Sequence, residues 1–222
     1  MLWRRLSGAG GNVGGAAPAP AVTYVHSGSP TNTSQTFSNV PIGDPASDRL
    51  VIVTVGSAGD DNEIPIGVSI NGDGAPSRVD TGVSNVFSGV YSLIVSSGST
   101  ANISFSNVKV GAASFSFSVI AAYGFAPTPS ATDSNQTFGS SFSFDFSGNF
   151  TSNDIVVAGY AAQLDDSGGS LNTNNLTVDA SFVPLEYATL AGSSIFPTAT
   201  SFGVSSTPGG FMKFSAAVFE PI

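Results

Sequence analysis

The chain of 222 residues contains no cysteine, a single histidine and a single tryptophan, and only 9% of its residues are charged. Without cysteine there is no disulfide framework, no thiolate nucleophile and no sulfur-ligated zinc, so packing and strand pairing must hold the fold. A typical soluble domain carries about 25% charged residues, which leaves Ser, Thr, Asn and Gly to supply the polar surface. Six basic residues stand against fifteen acidic ones, for a net charge of −9. A cationic face for DNA or RNA is therefore excluded. No apolar run approaches the length of a membrane-spanning helix. Arg4 and Arg5 follow the initial Met1, but the chain then runs SGAGGNVGGAAPAPA with no apolar h-region, so no secretory signal is expected.

What is present is a β pattern. Short runs rich in Val, Ile, Phe and Thr alternate with polar residues and are broken by Gly, Pro, Asn and Asp, the mark of an all-β sandwich or barrel. Strands are predicted over 22–26, 35–40, 49–56, 64–71, 77–81, 86–96, 101–107 and 113–124, then over 136–146, 154–163, 176–180, 186–190, 198–204 and 211–219. No window carries the 3.6-residue period of an amphipathic helix. Phe115 and Phe117 alternate with serines, as do Phe142 and Phe144, with Phe146 following, so each set lines one face of a strand. The opposite, serine-bearing face is expected to meet water or a neighbouring subunit. LVIVTV from Leu50 and IVVAGYAA from Ile155 are apolar throughout and should form central strands covered on both faces. Asn71-Gly72-Asp73-Gly74 predicts a tight hairpin turn.

The second half echoes the first. DRLVIVTVGSAGDD from Asp48 returns as DIVVAGYAAQLDD from Asp154, and SFSFSVIAAYGF from Ser114 returns as GFMKFSAAVFEPI from Gly210. The expected organisation is an N-terminal arm over 1–20, a first β repeat over 21–125, a linker over 126–130 and a second repeat over 131–222. Both repeats together are expected to build one antiparallel two-sheet sandwich of jelly-roll type.

Chemistry is sparse. Asp60 and Asp61, followed by Asn62 and Glu63, recur as Asp165 and Asp166 after the second central strand, and these carboxylates are the candidates for a Ca²⁺ site. Their spacing matches no calcium loop and gives no basis for a glycosidase pair, so solvated turns are the simpler reading and no metal is expected. His26 lies beside Ser27, but no GxSxG elbow presents a nucleophile. The glycines over 8–15 lack the flanking strand and helix that phosphate binding needs. Tyr24, Tyr91, Tyr123, Tyr160 and Tyr187 could form a sugar platform, yet most sit in apolar strands where the ring fills the core. No cofactor and no catalytic activity are expected. The arm residues Leu2, Trp3, Arg4, Arg5 and Leu6 form a basic, aromatic tip on a Gly/Ala/Pro tether, of the residue types that concentrate binding energy in an interface.

The order of DRLVIVTV, VFSGVYSLIV, STANISFSN, FSFSVIAAYGF, linker and DIVVAGYAA resembles virion proteins of tailed bacteriophages that carry a jelly-roll-like sandwich. The resemblance implies a non-enzymatic structural subunit on the head or tail surface, such as a capsid decoration, a head fibre or a tail accessory piece. It would be assembled in the host cytoplasm and released by lysis, held by its N-terminal arm to other virion proteins. A homo-oligomer and contact with host surface glycans would follow. The alternative is a carbohydrate-binding module or adhesin.

Overall fold

The computed structural model describes residues 18–60, 66–81, 85–146, 151–164, 170–184, 187–199 and 201–222. Every regular element among them is a strand: β1 (Ala21–Gly28), β2 (Gln35–Pro41), β3 (Arg49–Asp60), β4 (Gly67–Ile70), β5 (Asp73–Gly74), β6 (Ser77–Thr81), β7 (Val86–Ile94), β8 (Thr100–Ser106), β9 (Val110–Tyr123), β10 (Ala131–Asp145), β11 (Ile155–Leu164), β12 (Ser170–Asn174), β13 (Thr177–Phe182), β14 (Tyr187–Ile195) and β15 (Ser201–Phe219). All pairings are antiparallel. One sheet has the order β1-β9-β3-β7-β6, a second β10-β15-β11-β14-β13 with β12 added to β15, and a third β2-β8-β4-β5.

The antiparallel all-β sandwich expected from the sequence is what the chain forms, with more than two layers. The β3 sheet packs one face on the β2-β8-β4-β5 sheet around Val51, Val53, Val55, Phe87, Phe105, Phe115 and Phe117. Its other face packs on the β11 sheet. The far face of the β11 sheet holds a separate core of Val156, Tyr160, Leu190, Phe202, Met212 and Phe214. Each half therefore has its own apolar interior, and the halves meet along a seam.

The central strands stand where their apolar runs predict. β3 and β11 each occupy the middle of a five-strand order, and Leu50 to Val53 and Ile155 to Ala158 are fully buried. The registers run alike in the two sheets: Leu50 lies between Ile94 and Ala122, and Ile155 between Ile195 and Phe219. The turns into these strands match as well. Arg49 donates its N–H to the Ala46 carbonyl at 3.2 Å and Asp154 to that of Thr151 at 3.2 Å. The Asn71–Gly72 turn joins β4 and β5 with φ of 54° and 90°, the positive pair a type I′ hairpin requires.

Two elements differ from expectation. β10 begins at Ala131 rather than at residue 136, and the strands predicted over 198–204 and 211–219 are one continuous β15. Gly209 and Gly210, which fall between those two predicted strands, stand at close approaches of backbone. A Cβ on Gly210 would stand 2.0 Å from the Gln163 carbonyl oxygen, and one on Gly209 would stand 2.6 Å from that of Gly139. The glycines let backbones close on each other where β15 passes from pairing with residues 131–139 of β10 to pairing with 141–145. β12 was not anticipated, because SLNTN is short and almost wholly polar.

The linker is pinned rather than loose. Ala126 donates to the Glu220 carbonyl and Ser130 to that of Val218, both at 2.9 Å.

Candidate functional site

The two central strands give the molecule its poles. Leu50 and Ile52 share a cluster with Ile155, Val157, Phe125 and Phe219 at one end of the seam, and Ala58 meets Ala161 and Tyr187 at the other. β3 and β11 thus run the same way across the seam. At their starting pole the chain enters β1, where Ala21 pairs with Ala121. The C-terminus ends at the same pole, where Ile222 donates its N–H to the Gly124 carbonyl at 2.8 Å. The far pole is where β3 and β11 end, at Asp60 and Leu164.

The described chain reaches the acidic candidates only at Asp60 and Leu164, the last residues of β3 and β11. Asp61, Asp165 and Asp166 lie outside the described residues, as does the side chain of Asp60. Leu2, Trp3, Arg4, Arg5 and Leu6 lie outside them too. Among the described residues no group of three or more His, Cys, Asp or Glu is arranged to hold a metal ion.

His26 is committed to packing. Its ring centroid lies 4.5 Å from Phe37 and 5.6 Å from Phe117, and burial lowers its pKa below the usual histidine value. Four of the five tyrosines, Tyr91, Tyr123, Tyr160 and Tyr187, are buried. Tyr91 donates to the Ile66 carbonyl, and Tyr123 to that of Asp44 at 3.1 Å. Burial pushes the Tyr160 hydroxyl up to about 12. Tyr24 is half-buried beside Phe117 at 5.7 Å. The five rings do not share a surface.

The seam carries the polar chemistry that sequence reading missed. Ser114, Ser116 and Ser118 of β9, expected to face water or a neighbouring subunit, are fully buried against the second half. Ser114 and Ser116 hydroxyls meet Thr189 Oγ1 at 2.6 and 2.8 Å, and Ser88 Oγ lies 3.0 Å from Ser215 Oγ. The hydroxyls of Ser88, Ser114 and Ser116 can be buried because each finds a partner across the seam, whereas Ser118 Oγ is enclosed without one. Asp179 on β13 is the half-buried acid there. Ser193 donates to its Oδ1 at 3.0 Å, while Oδ2 has no hydrogen-bond partner. Burial raises its pKa to about 6, against the opposing pull of Ser193 and Ser118. The signal that could have found this seam is the pairing of two small-residue runs, SFSFS and ATLAGSS.

On the outside, each half presents a shallow groove at matching strands. One, of about 290 Å³, is lined by Ser34, Thr36, Gly67, Ser69, Ser104 and Ser106 on β2, β8 and β4 and their flanks. The other, of about 200 Å³, is lined by Ser141, Ser143, Asn172, Asn174, Gly203 and Ser205 on β10, β15 and β12. Thr36 Oγ1 and Ser104 Oγ are 3.0 Å apart. Such surfaces offer hydroxyl and amide groups beside Val68 and Phe105 in the first groove and Val204 in the second.

No family model, no curated protein and no solved structure matches this chain.

Proposed function

We propose that the chain is a non-enzymatic structural subunit of a tailed-phage virion, displayed on the head or tail surface and held there by its N-terminal arm. The observation that supports this reading is the placement of Ala21, where β1 begins, and Ile222 at one pole. An arm leaving that pole would anchor the body while the opposite pole faces outward. We read β1-β9-β3-β7 with β2-β8-β4-β5 as one jelly roll and the matching order in 131–222 as a second, related by internal duplication and packed back to back. Among the described residues, Ser88, Ser114, Ser116 and Thr189 are buried polar side chains that find their partners across the seam.

Mass spectrometry of purified particles tests the proposal. The protein should be present at a copy number set by particle symmetry, and a variant lacking residues 1–15 should be lost from particles while keeping its β circular dichroism. Particles that assemble without the protein in them would refute it.

The paired outer grooves favour a second reading, a carbohydrate-binding module or adhesin taking neutral sugar chains through hydroxyl and amide contacts. A glycan array probed with and without Ca²⁺ tests this second reading, and no binding under either condition would remove it.

A further inference from the structure

The edges of a sheet decide what it can join, because an unpaired strand offers a row of N–H and C=O groups to any second chain. Most edges here carry a device against this. β6 bears Arg78 and Asp80 and a register shift. β2 has a shift, a left-handed Asn39 and a terminal proline. β13 is interrupted beside the half-buried Asp179, and β1 shifts register after Val22.

β10 differs. From Ala131 to Gly139 it pairs with β15 without interruption, and among the described residues no strand lies along its other edge. This stretch bears one charge, Asp133, and no proline. Two hydrogen bonds mark the open edge: Gln136 donates its backbone N–H to Asn135 Oδ1 at 2.7 Å, and Thr137 Oγ1 donates to the Phe138 carbonyl at 3.2 Å. Both are local contacts with side chains of the same strand, which pairing with a second chain would exchange for backbone bonds. Phe138 on the same strand is 78% exposed.

We propose that this edge pairs with the same edge of a second copy of the chain, antiparallel about a twofold axis at Asn135. Sequence self-complementarity selects this occupant and this register. The twofold sets Asp133 opposite the partner's Thr137, Ser134 opposite the partner's Gln136, and Thr132 opposite the partner's Phe138. An aromatic ring then lies on a β-branched residue twice over, a favoured cross-strand pair, and the two Asp133 carboxylates stay apart. Centring the axis on Gly139 instead would oppose Asp133 to Asp145, and would also cross the bulge between Gly139 and Ser141. The dimer joins two six-strand sheets into one through backbone bonds, an isologous interface. It specifies the homo-oligomer of the virion reading but is read on purified protein, so either can fail alone.

The test is the oligomeric state of the full chain by analytical ultracentrifugation, together with single substitutions at exposed positions. A dimer is expected. Asn135→Lys, which sets lysine against lysine, should weaken it at least tenfold with circular dichroism unchanged, whereas Thr137→Lys, which faces the partner's Asp133, should leave it intact. The chain has no cysteine, so Asn135→Cys should oxidise to a covalent dimer that dithiothreitol reverses, and Ser134→Cys should not. A monomer at every concentration, a dimer indifferent to Asn135→Lys, or equal cross-linking through both cysteines would each overturn the proposal. A folded monomer whose edge is covered by its own N-terminal segment would appear as the first of these.

Discussion

Gly56 of β3 has no room for a side chain, because a Cβ there would stand 2.1 Å from the Tyr160 carbonyl oxygen of β11. The approach is reciprocated: a Cβ on Gly159 would stand 2.5 Å from the Val55 carbonyl oxygen. Neither glycine carries a positive φ, so the requirement is one of space between two backbones, not of backbone conformation. The central strands of the two halves touch main chain to main chain at this point, which sets how closely their sheets lie.

The first prediction follows from that contact. Gly56→Ala or Gly159→Ala must push the sheets apart or bend a strand, and overpacking of this kind costs typically 1–3 kcal/mol, with about 3 kcal/mol expected for a clash against backbone. Urea denaturation should show the loss for both variants. Gly72→Ser, at a turn where nothing lies within 4 Å of the added Cβ, is the control for a glycine that matters only through its φ.

Asp179 supplies a pH dependence of definite sign. Its folded pKa is raised to about 6 by burial first, with Ser193 and Ser118 pulling against the rise. The folded state then holds a proton that the unfolded chain releases near pH 4, so Asp179 favours folding most at low pH. That contribution fades as pH rises from about 4 through 6. A shift of roughly two units corresponds to about 2–3 kcal/mol. Asp179→Asn keeps the shape and removes the charge, so its stability relative to the parent should grow between pH 4.5 and pH 8, read from paired denaturation curves. Parallel curves across that range would mean the carboxylate is not desolvated in solution.

How much of this was legible depends on which side of a strand is considered. The central strands and the Asn71–Gly72 hairpin were readable because each depends on local sequence alone. The serines of SFSFS were assigned to water or a neighbouring subunit because period-two alternation separates two faces but does not say what covers the polar one. It is Thr189 from the second half that meets Ser114 and Ser116 there. The gap between the strands predicted over 198–204 and 211–219 does not exist because Gly209 and Gly210 let backbones close on each other while β15 continues. The aligned aspartates Asp48 and Asp154 also misled slightly. In both hydrogen bonds that flank the central strands, to Ala46 or Thr151 and from Val95 or Phe196, it is Arg49 that holds the place of Asp154. Of the candidate site residues, the arm and the acidic loops were named from composition, and composition carries no coordinates.

The hydroxyl triad at the seam yields a third prediction. Thr189→Val preserves shape but strips the partner shared by Ser114 and Ser116, at 2.6 and 2.8 Å. Ser114 still donates to the Phe182 carbonyl at 2.7 Å, so the cost falls on Ser116. One unsatisfied buried hydroxyl costs about 1–3 kcal/mol. The double variant Thr189→Val with Ser116→Ala should recover most of the loss, and a double-mutant cycle measures the recovery.

Arg49 carries the last prediction. Its side chain is fully buried, and its guanidinium donates to the carbonyls of Val95, Gly43, Gly98 and Ser97 at 2.7–2.8 Å. The planar fork satisfies two separate loops at once, which an ammonium with a single nitrogen cannot do. Arg49→Lys should therefore cost at least about 3 kcal/mol, since several carbonyls lose a charged donor, and Arg49→Met should do no better. In hydrogen exchange the loss should concentrate in residues 95–99, where the Val95 N–H bonded to the Arg49 carbonyl at 3.0 Å reports directly. The equivalent loop of the second half, held at Asp154 by Thr151 with Oδ1 accepting from the Thr151 hydroxyl at 3.1 Å, should keep its protection. Uniform loss of protection across both halves would instead mean that Arg49 acts on global stability and not on the loops it binds.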